Sequence, residues 1–296
     1  MSGSAEHQAI VVAVDGSPSS KVATDWAARE AVLHHVPLTL AHVMPEPAIF
    51  MWPDPSMLEG FSDWRTKHAE RMLDDFQVVA RETLGDTNTV VVQTKSCEGP
   101  PVPVLTELSK DAALIVVGCR GRGAVQRRLL GSVSFGLVHR AHCPVVVVHD
   151  EDPLMDDPAH APVVVGIDGS PAAEHATGIA YDEASRRGVG LIAIHSWADR
   201  ELYEWADIDW VSQRDDGERA LSERLAGWQE RYPDVAVERR LVFGDPAEKL
   251  IDASESAQLT VVGSHGRGGF AGMLLGSVSA AVVQAARMPV LVARQA

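Results

Sequence analysis

The chain has 296 residues, about twice the length of an ordinary domain, so its length favours two domains of roughly 150 residues each. Its 46% apolar and 23% charged residues are typical of a globular protein and exclude disorder along the whole chain. The 26 basic and 41 acidic residues give a net charge of −15, which argues against duplex nucleic acid or an anionic membrane surface as the main partner.

The ends and the cysteines of the chain add two further expectations. The first residues, MSGSAEHQ, lack the basic and then apolar segments of a secretion signal, and no apolar run approaches the ~20 residues that span a bilayer. We therefore expect a cytoplasmic protein with no membrane insertion. The three cysteines, Cys97, Cys119 and Cys143, form no CxxC pair, and this spacing disfavours a disulfide scaffold and a zinc ribbon.

The sequence repeats itself once. Residues 10–20 read IVVAVDGSPSS and residues 163–173 read VVVGIDGSPAA, an offset of 153. Residues 118–134 (GCRGRGAVQRRLLGSVS) return as residues 263–279 (GSHGRGGFAGMLLGSVS), an offset of 145, so the first copy carries eight extra residues between its second strand and third helix. The acidic, proline-rich DEDPLMDDPAHAP between the copies predicts a linker at residues 153–159, with domains at residues 1–152 and 160–296.

Each copy predicts five strands that alternate with four helices. In the first copy the strand signals are, in chain order, IVVAV, LTLAHV, VVVQT, LIVVG and VVVVH, and helical stretches such as WAAREAVLHH separate them. Because these apolar runs are continuous, the strands should be covered on both faces, as in a parallel sheet between helices. The prediction is an α/β protein with two tandem doubly wound domains, whose ligands bind beyond the carboxyl ends of the strands.

The first strand ends in Asp15-Gly16-Ser17-Pro18, and the second copy repeats this ending at Asp168. One interpretation is structural: Ser17 caps the following helix and Pro18 occupies its first position. A cap does not require the aspartate as well, so the alternative is that Asp15 and Asp168 contact a ligand or a metal ion.

The fourth strand ends in a glycine-rich loop that runs from Gly118 through Gly121 to Gly131-Ser132 at the start of the next helix. Glycines let backbone approach a ligand closely, and the start of a helix attracts an anion such as phosphate. The second copy keeps the same spacing at Gly263, Gly266, Gly276 and Ser277. The alternative interpretation is that Ser132 is only an N-cap and the glycines only form turns.

Several common catalytic motifs are missing from the sequence. It has no GxxxxGK[ST], no GxGxxG after the first strand and no GxSxG, which disfavours a P-loop NTPase, a dinucleotide-binding enzyme and an α/β-hydrolase. Nothing supplies an evident general base for attack on a γ-phosphate. We therefore expect at most a weak ATPase.

The spacing Gly118-xx-Gly121-x9-Gly131-Ser132, with VDGS after the first strand and His42-Val43 at the end of the second, resembles the ATP-binding branch of the universal stress protein family in its tandem-domain, mycobacterial form. The resemblance implies the strand order 3-2-1-4-5 and one ATP with Mg²⁺ per domain, the metal near Asp15 and Asp168. The implied first site comprises Ala13, Asp15, Val43, Gly118, Cys119, Arg120, Gly121, Arg122, Gly123, Arg128, Gly131, Ser132 and Val133. The implied second site comprises Gly166, Asp168, Gly263, Ser264, His265, Gly266, Arg267, Gly268, Gly269, Gly276, Ser277 and Val278.

The two copies differ where the resemblance places the ligand. Ala13 in the first copy corresponds to Gly166 in the second, and Val43-Met44 corresponds to Ser196-Trp197. The pair Arg127-Arg128 corresponds to Gly272-Met273. Since the first site has more positive charge for a triphosphate, we expect it to bind ATP at least as tightly as the second.

The resemblance implies a nucleotide-dependent regulator in stress, hypoxia or dormancy, with an unknown regulatory protein partner. A homodimer is also implied, since members of the family pair through their last strand, and VVVVH and VLVAR are apolar candidates for such an edge. Two alternatives stay open: an enzyme that slowly hydrolyses ATP or transfers an adenylyl group, and a module that binds cyclic AMP.

Overall fold

The computed structural model describes residues 8–45, 55–85, 89–121, 130–149, 157–196, 210–266 and 275–294. The chain divides into two compact units, residues 1–150 and residues 151–295. Most of the predicted linker and the pairs Arg127-Arg128 and Gly272-Met273 lie outside the described residues.

The first unit is a parallel five-stranded sheet with helices packed on it. The strands follow the order β3-β2-β1-β4-β5, and every described pairing is parallel. Its elements are β1 (Ile10–Ala13), α1 (Pro18–His34), β2 (Leu38–Met44), α2 (Pro55–Leu84), β3 (Val92–Glu98), α3 (Pro101–Leu108), β4 (Leu114–Gly118), α4 (Ser132–Arg140) and β5 (Val145–Val148).

The second unit has the same architecture, with the strand order β8-β7-β6-β9-β10 and parallel pairing. The predicted α/β fold of two tandem domains, and the strand order that the resemblance implied, are therefore confirmed. The elements are β6 (Val163–Gly166), α5 (Pro171–Arg187), β7 (Leu191–Ser196), α6 (Trp210–Arg231), β8 (Val237–Val242), α7 (Pro246–Ser254), β9 (Leu259–Gly263), α8 (Ser277–Ala285) and β10 (Val290–Ala293).

Four strands have the continuous burial that their apolar runs predicted. Every residue of β4 and β9 is buried, as is every residue of β5 and β10. Strand β3 is mostly exposed, strand β8 is half-buried to exposed, and both carry charged residues such as Lys95 and Arg239. Charged side chains on an edge strand discourage pairing with another chain, and this explains why the sequence of these two strands is more polar.

The direction of winding reverses at the first strand of each unit. In the first unit β1 pairs with β2 on one side and with β4 on the other, and in the second unit β6 pairs with β7 and β9. This reversal opens a crevice beyond the carboxyl ends of β1 and β4, and of β6 and β9. The two loops that the sequence analysis singled out therefore face each other in both units.

The first helix of each unit begins at a serine cap. The Ser17 hydroxyl accepts a hydrogen bond from the backbone N–H of Ser20, and the Ser170 hydroxyl accepts one from Ala173. A proline follows each cap at the first helical position. Among the described helices, none is both long enough and apolar enough to cross a membrane.

Candidate functional site

A cavity of about 610 Å³ lies at the crevice of the first unit. Its volume falls in the range of roughly 300–1,000 Å³ that is typical of small-molecule sites. Residues from the ends of β1, β2 and β4 and from the starts of α3 and α4 line it. The predicted site residues among them are Ala13, Asp15, Val43, Gly118, Arg120, Gly121, Gly131, Ser132 and Val133.

The aspartate after the first strand holds the turn that leads into the helix. The Asp15 Oδ1 atom accepts a hydrogen bond of 3.0 Å from the backbone N–H of Ser17, and Asp168 Oδ1 accepts one of 2.8 Å from Ser170. The predicted serine cap and proline are present, and one carboxylate oxygen of the aspartate is used in the same turn. The other oxygen, Oδ2, lies at the glycine-rich loop.

The glycine in that loop allows the carboxylate to come this close. A Cβ atom at Gly121 would stand 2.8 Å from Asp15 Oδ2, and one at Gly266 would stand 2.7 Å from Asp168 Oδ2. Real Cβ atoms essentially never approach so closely, so any other residue would push the loop or the carboxylate aside. Both units thus have a glycine where the loop backbone lies against a carboxylate.

A serine hydroxyl joins the two loops in each unit. Ser17 Oγ donates to the Arg120 carbonyl at 3.4 Å, and Ser170 Oγ donates to the His265 carbonyl at 3.1 Å. The same oxygen caps the following helix, so one side chain fixes the helix start and the adjacent loop together. The cap could be predicted from the sequence, but this second contact could not, because it joins residues about a hundred positions apart.

The last glycine of the loop closes it onto the next helix. The Gly131 N–H donates to the Cys119 carbonyl, and the Gly276 N–H donates to the Ser264 carbonyl, each at 2.8 Å. Gly131 and Gly276 are the N-caps of α4 and α8, and no side chain of the described residues caps either helix. The interpretation of Ser132 as an N-cap is therefore wrong, because Ser132 is the first helical residue.

This arrangement leaves the first turn of α4 and α8 suited to an anion. The backbone N–H groups of a first turn have no partner within the helix, and the helix dipole adds partial positive charge there. Ser134 Oγ ties the turn to the Gly118 carbonyl at 2.6 Å, and Ser279 Oγ does so with Gly263 at 2.5 Å. The second serine of the repeated GSVS was the sequence signal for this contact.

Gly118 and Gly263 have a packing role in addition to their place at the loop. A Cβ at Gly118 would lie 2.7 Å from the backbone of Ser19, and one at Gly263 would lie 2.9 Å from the backbone of Ala172. These glycines let the first helix of each unit pack directly on the fourth strand. Their presence in both copies therefore reflects helix packing as well as any approach to a ligand.

The histidine at the end of the second strand holds the backbone just before each aspartate. His42 Nδ1 donates to the Val14 carbonyl at 2.8 Å, and His195 Nδ1 donates to the Ile167 carbonyl at 2.6 Å. A carbonyl can only accept, so the proton lies on Nδ1. This contact joins the first and second strands of each unit just beyond the last residues that pair through backbone hydrogen bonds.

The second unit surrounds the same skeleton with different side chains. A Cβ at Gly166 would lie 2.9 Å from Leu250 of α7, so the second unit has less room for the methyl group that Ala13 carries in the first. His265 replaces Arg120, and its Nδ1 lies 3.0 Å from Ser264 Oγ.

An arginine that the sequence analysis missed lies near this second loop. The guanidinium group of Arg224, from α6, packs on Gly169 in the position that a Cβ would take. Gly169 has a φ of +82°, a conformation that favours glycine, and it directly follows Asp168. At the offset of 145 the first unit has Val79, so the repeat gave no signal for a cation here.

Some predicted residues do not line the cavity or cannot be placed. Cys119 is buried, with its sulfur 4.0 Å from Ser19 Oγ, and is absent from the cavity lining. Cys143 lies outside the site, and burial raises the pKa of its thiol to about 12. The predicted site residues outside the described part of the chain are Arg122, Gly123, Arg128, Arg267, Gly268 and Gly269.

The chain is similar in sequence to proteins of a single family. The sequence model of the Universal stress protein family matches residues 6–149 and again residues 160–294. Universal stress protein Rv2623 of Mycobacterium tuberculosis H37Rv is 50% identical over 286 residues, which cover 97% of this chain and 96% of that protein. Universal stress protein Rv2005c of the same strain is 49% identical over 295 residues and covers both chains completely.

A solved structure agrees with these matches at the level of the fold. The crystal structure of a universal stress protein from Archaeoglobus fulgidus DSM 4304 superimposes with a TM-score of 0.73 at 21% identity. The match covers 98% of this chain and all of the other.

Proposed function

The chain is a tandem-domain member of the universal stress protein family, and from this premise we propose that each domain binds one ATP with Mg²⁺. Occupancy of the two sites would then regulate a cytoplasmic response to stress or dormancy. One observation carries the proposal: a carboxylate, a glycine loop pressed against it and an uncapped helix start meet at one crevice, and they do so in both domains.

The polar end of the cavity suits phosphate. The loop backbone at Gly121 and the first turn of α4 bring N–H groups to this end, and Arg120, a cationic residue, also lines the cavity. The second domain repeats the backbone with Gly266, Gly276 and α8. Since phosphate carries several charges, it gains more from such a cluster of donors than a neutral ligand does.

The donor chemistry of the site also fits Mg²⁺. This ion prefers oxygen ligands and takes one or two carboxylates together with phosphate oxygens. Asp15 and Asp168 each use one oxygen in the turn and direct the other toward the glycine loop. A bound Mg²⁺ would neutralise phosphate charge beside these carboxylates, which would otherwise repel the ligand.

The opposite end of the cavity suits a nucleobase. Ala41 and Val43 of β2 and Pro101 and Leu105 of α3 form an apolar wall there. Because β2 and β4 flank β1 on opposite sides, their ends lie about two strand spacings apart, roughly 10 Å. A nucleotide can span this distance with its base at β2 and its phosphates at β4.

A regulator needs two states with different affinities for the nucleotide. ATP can shift a conformational or assembly equilibrium only by the difference in its affinity for the two states. We propose that the second state is a homodimer or a complex with an unidentified regulatory protein.

The aspartates provide the test, because Asp15→Asn and Asp168→Asn keep the oxygen that accepts the Ser17 or Ser170 N–H. We expect each variant to lose at least about tenfold in affinity for Mg²⁺-ATP at its own site, as removal of a metal contact does. Calorimetric titration with and without Mg²⁺ measures this. Unchanged Mg²⁺-ATP binding in the double variant would contradict the assigned role of the carboxylates.

A further inference from the structure

The wall where the base would lie differs at two positions between the domains: Ala41 corresponds to Ile194, and Val43 corresponds to Ser196, the only polar replacement among the four wall residues. Val43 of β2 lines the first cavity and directly follows His42. In the second domain the residue after His195 is Ser196, and the matching histidine contacts place both residues equivalently. The strand registers agree, since Val43 pairs with Cys97 and Ser196 pairs with Val242 at the same step of the neighbouring strand.

The hydroxyl of Ser196 already has a partner for its hydrogen. Ser196 Oγ donates to the Gly244 carbonyl at 2.6 Å, which is at the short end for a hydroxyl donor. Gly244 lies in the turn before α7 with a φ of +117°, matched by Gly99 with +125° in the first domain. The first domain closes this turn through backbone alone, with the Gly99 N–H donating to the Met44 carbonyl at 3.0 Å.

A committed hydroxyl can offer a ligand only its lone pairs. It has one hydrogen, and to donate that hydrogen to a ligand it would have to leave the Gly244 carbonyl without this partner. A ligand edge that donates a hydrogen bond is therefore favoured beside Ser196, and an edge that accepts one is disfavoured. Val43 has no polar atom in its side chain and makes no such distinction.

Purine bases differ in whether one of their edges donates or accepts a hydrogen bond. Adenine carries an exocyclic amino donor where guanine and hypoxanthine carry a carbonyl acceptor. We propose that Ser196 makes the second site selective for nucleotides with an exocyclic amino group, above all adenine, over 6-oxopurine nucleotides. This inference rests on the proposed nucleotide function and assigns the two sites different base selectivity, with the weaker preference at the first.

The test compares ATP with inosine triphosphate, which has a carbonyl in place of the amino group, on full-length protein with one site blocked. Gly121→Asp blocks the first site and keeps the second intact, and Gly266→Asp blocks the second site and keeps the first intact. We expect the affinity ratio of ATP to inosine triphosphate to be about tenfold larger at the second site, the size of one hydrogen bond.

Matched variants isolate the hydroxyl from the shape of the side chain. Threonine and valine have the same shape, so Ser196→Thr should keep the ratio and Ser196→Val should lower it about tenfold. Val43→Thr should raise the ratio at the first site. A two-site titration of the wild-type chain checks the same difference without blocking either site.

The outcomes separate the two claims. If the second site binds ATP but Ser196→Val and Ser196→Thr have equal ratios, the hydroxyl does not select the base and the inference is overturned. If neither single-site chain nor the wild type binds any nucleotide, the proposed function is wrong and the inference fails with it. The inference is supported if, at both sites, the ratio of the affinity for ATP to that for inosine triphosphate is higher when the side chain carries a hydroxyl than when it does not.

Discussion

The two domains share the contacts between loops and differ in the side chains around them. In both, an aspartate accepts from a serine N–H, a serine hydroxyl bridges to the next loop, and a glycine faces the carboxylate. The surrounding residues change: Arg120 becomes His265, and Val43 becomes Ser196. The two domains thus share a backbone skeleton and differ in the walls, which under the proposed function set the charge and the base selectivity of each site.

The positive charge of the two sites also comes from different parts of the fold. In the first domain the described cation at the cavity is Arg120, which belongs to the loop itself. In the second domain Arg224 reaches the aspartate loop from α6. The expectation that the first site binds ATP at least as tightly rests on Arg127 and Arg128 and stays a prediction.

The largest expected effect comes from filling the space at the glycine that faces the carboxylate. Gly121→Asp adds a side chain where even a Cβ would be 2.8 Å from Asp15 Oδ2, and a second negative charge beside it. We expect this variant to abolish binding at the first site and Gly266→Asp to abolish it at the second. Titration with Mg²⁺-ATP should then give half the wild-type stoichiometry for each variant.

The controls for these variants place the same aspartate in open space. Cβ atoms at Gly60 of α2 and Gly227 of α6 would meet nothing within 4 Å. Gly60→Asp and Gly227→Asp should keep the full stoichiometry. Equal loss in the controls and the test variants would mean that net charge or folding, rather than the loop geometry, causes the effect.

A smaller effect is expected from Arg224, the cation that reaches the aspartate loop of the second domain from α6. Arg224→Gln should weaken ATP binding at the second site about threefold at low salt, and the effect should shrink as salt screens the charge. Arg231→Gln is a matched control on the same helix, since Arg231 lies over the rings of Trp228 and Tyr232 instead. An equal effect of both variants would exclude a local role for Arg224.

The smallest expected effect is on stability and concerns Gly166 of β6, which corresponds to Ala13 of β1. Gly166→Ala would place a Cβ 2.9 Å from the flexible end of Leu250, so we expect a loss of about 1 kcal/mol in the free energy of unfolding. Leu250→Val should recover part of this loss in the double variant. Chemical denaturation measures both, and a stable Gly166→Ala variant with weaker ATP binding would instead place the glycine at the ligand.

The sequence predicted the fold well because its signals are local or repeated. The buried runs of β4 and β9 and the serine caps of α1 and α5 follow directly from composition and spacing. Strand order came from the resemblance, because apolar runs alone do not say which strand lies beside which. The meeting of the Asp15 and Gly121 loops depends on that order.

The details of the site that the sequence missed are contacts between distant segments. The bridge from Ser17 to the Arg120 carbonyl has no periodicity that a sequence could show. Arg224 occurs in one copy alone, so the repeat gave it no weight. Ser132 was open to interpretation as a cap because Gly and Ser are both common at helix starts, and only the backbone geometry assigns the cap to Gly131.

Whether each domain binds ATP can be measured on freshly purified protein, by releasing its nucleotide through denaturation and quantifying it by chromatography against protein concentration. If each domain binds one ATP, the wild type carries two ATP per chain and each of Gly121→Asp and Gly266→Asp carries one. Protein that carries no nucleotide, and that binds none on titration with Mg²⁺-ATP, would contradict the proposed function and would reduce the glycine loops to turns that pack the fold.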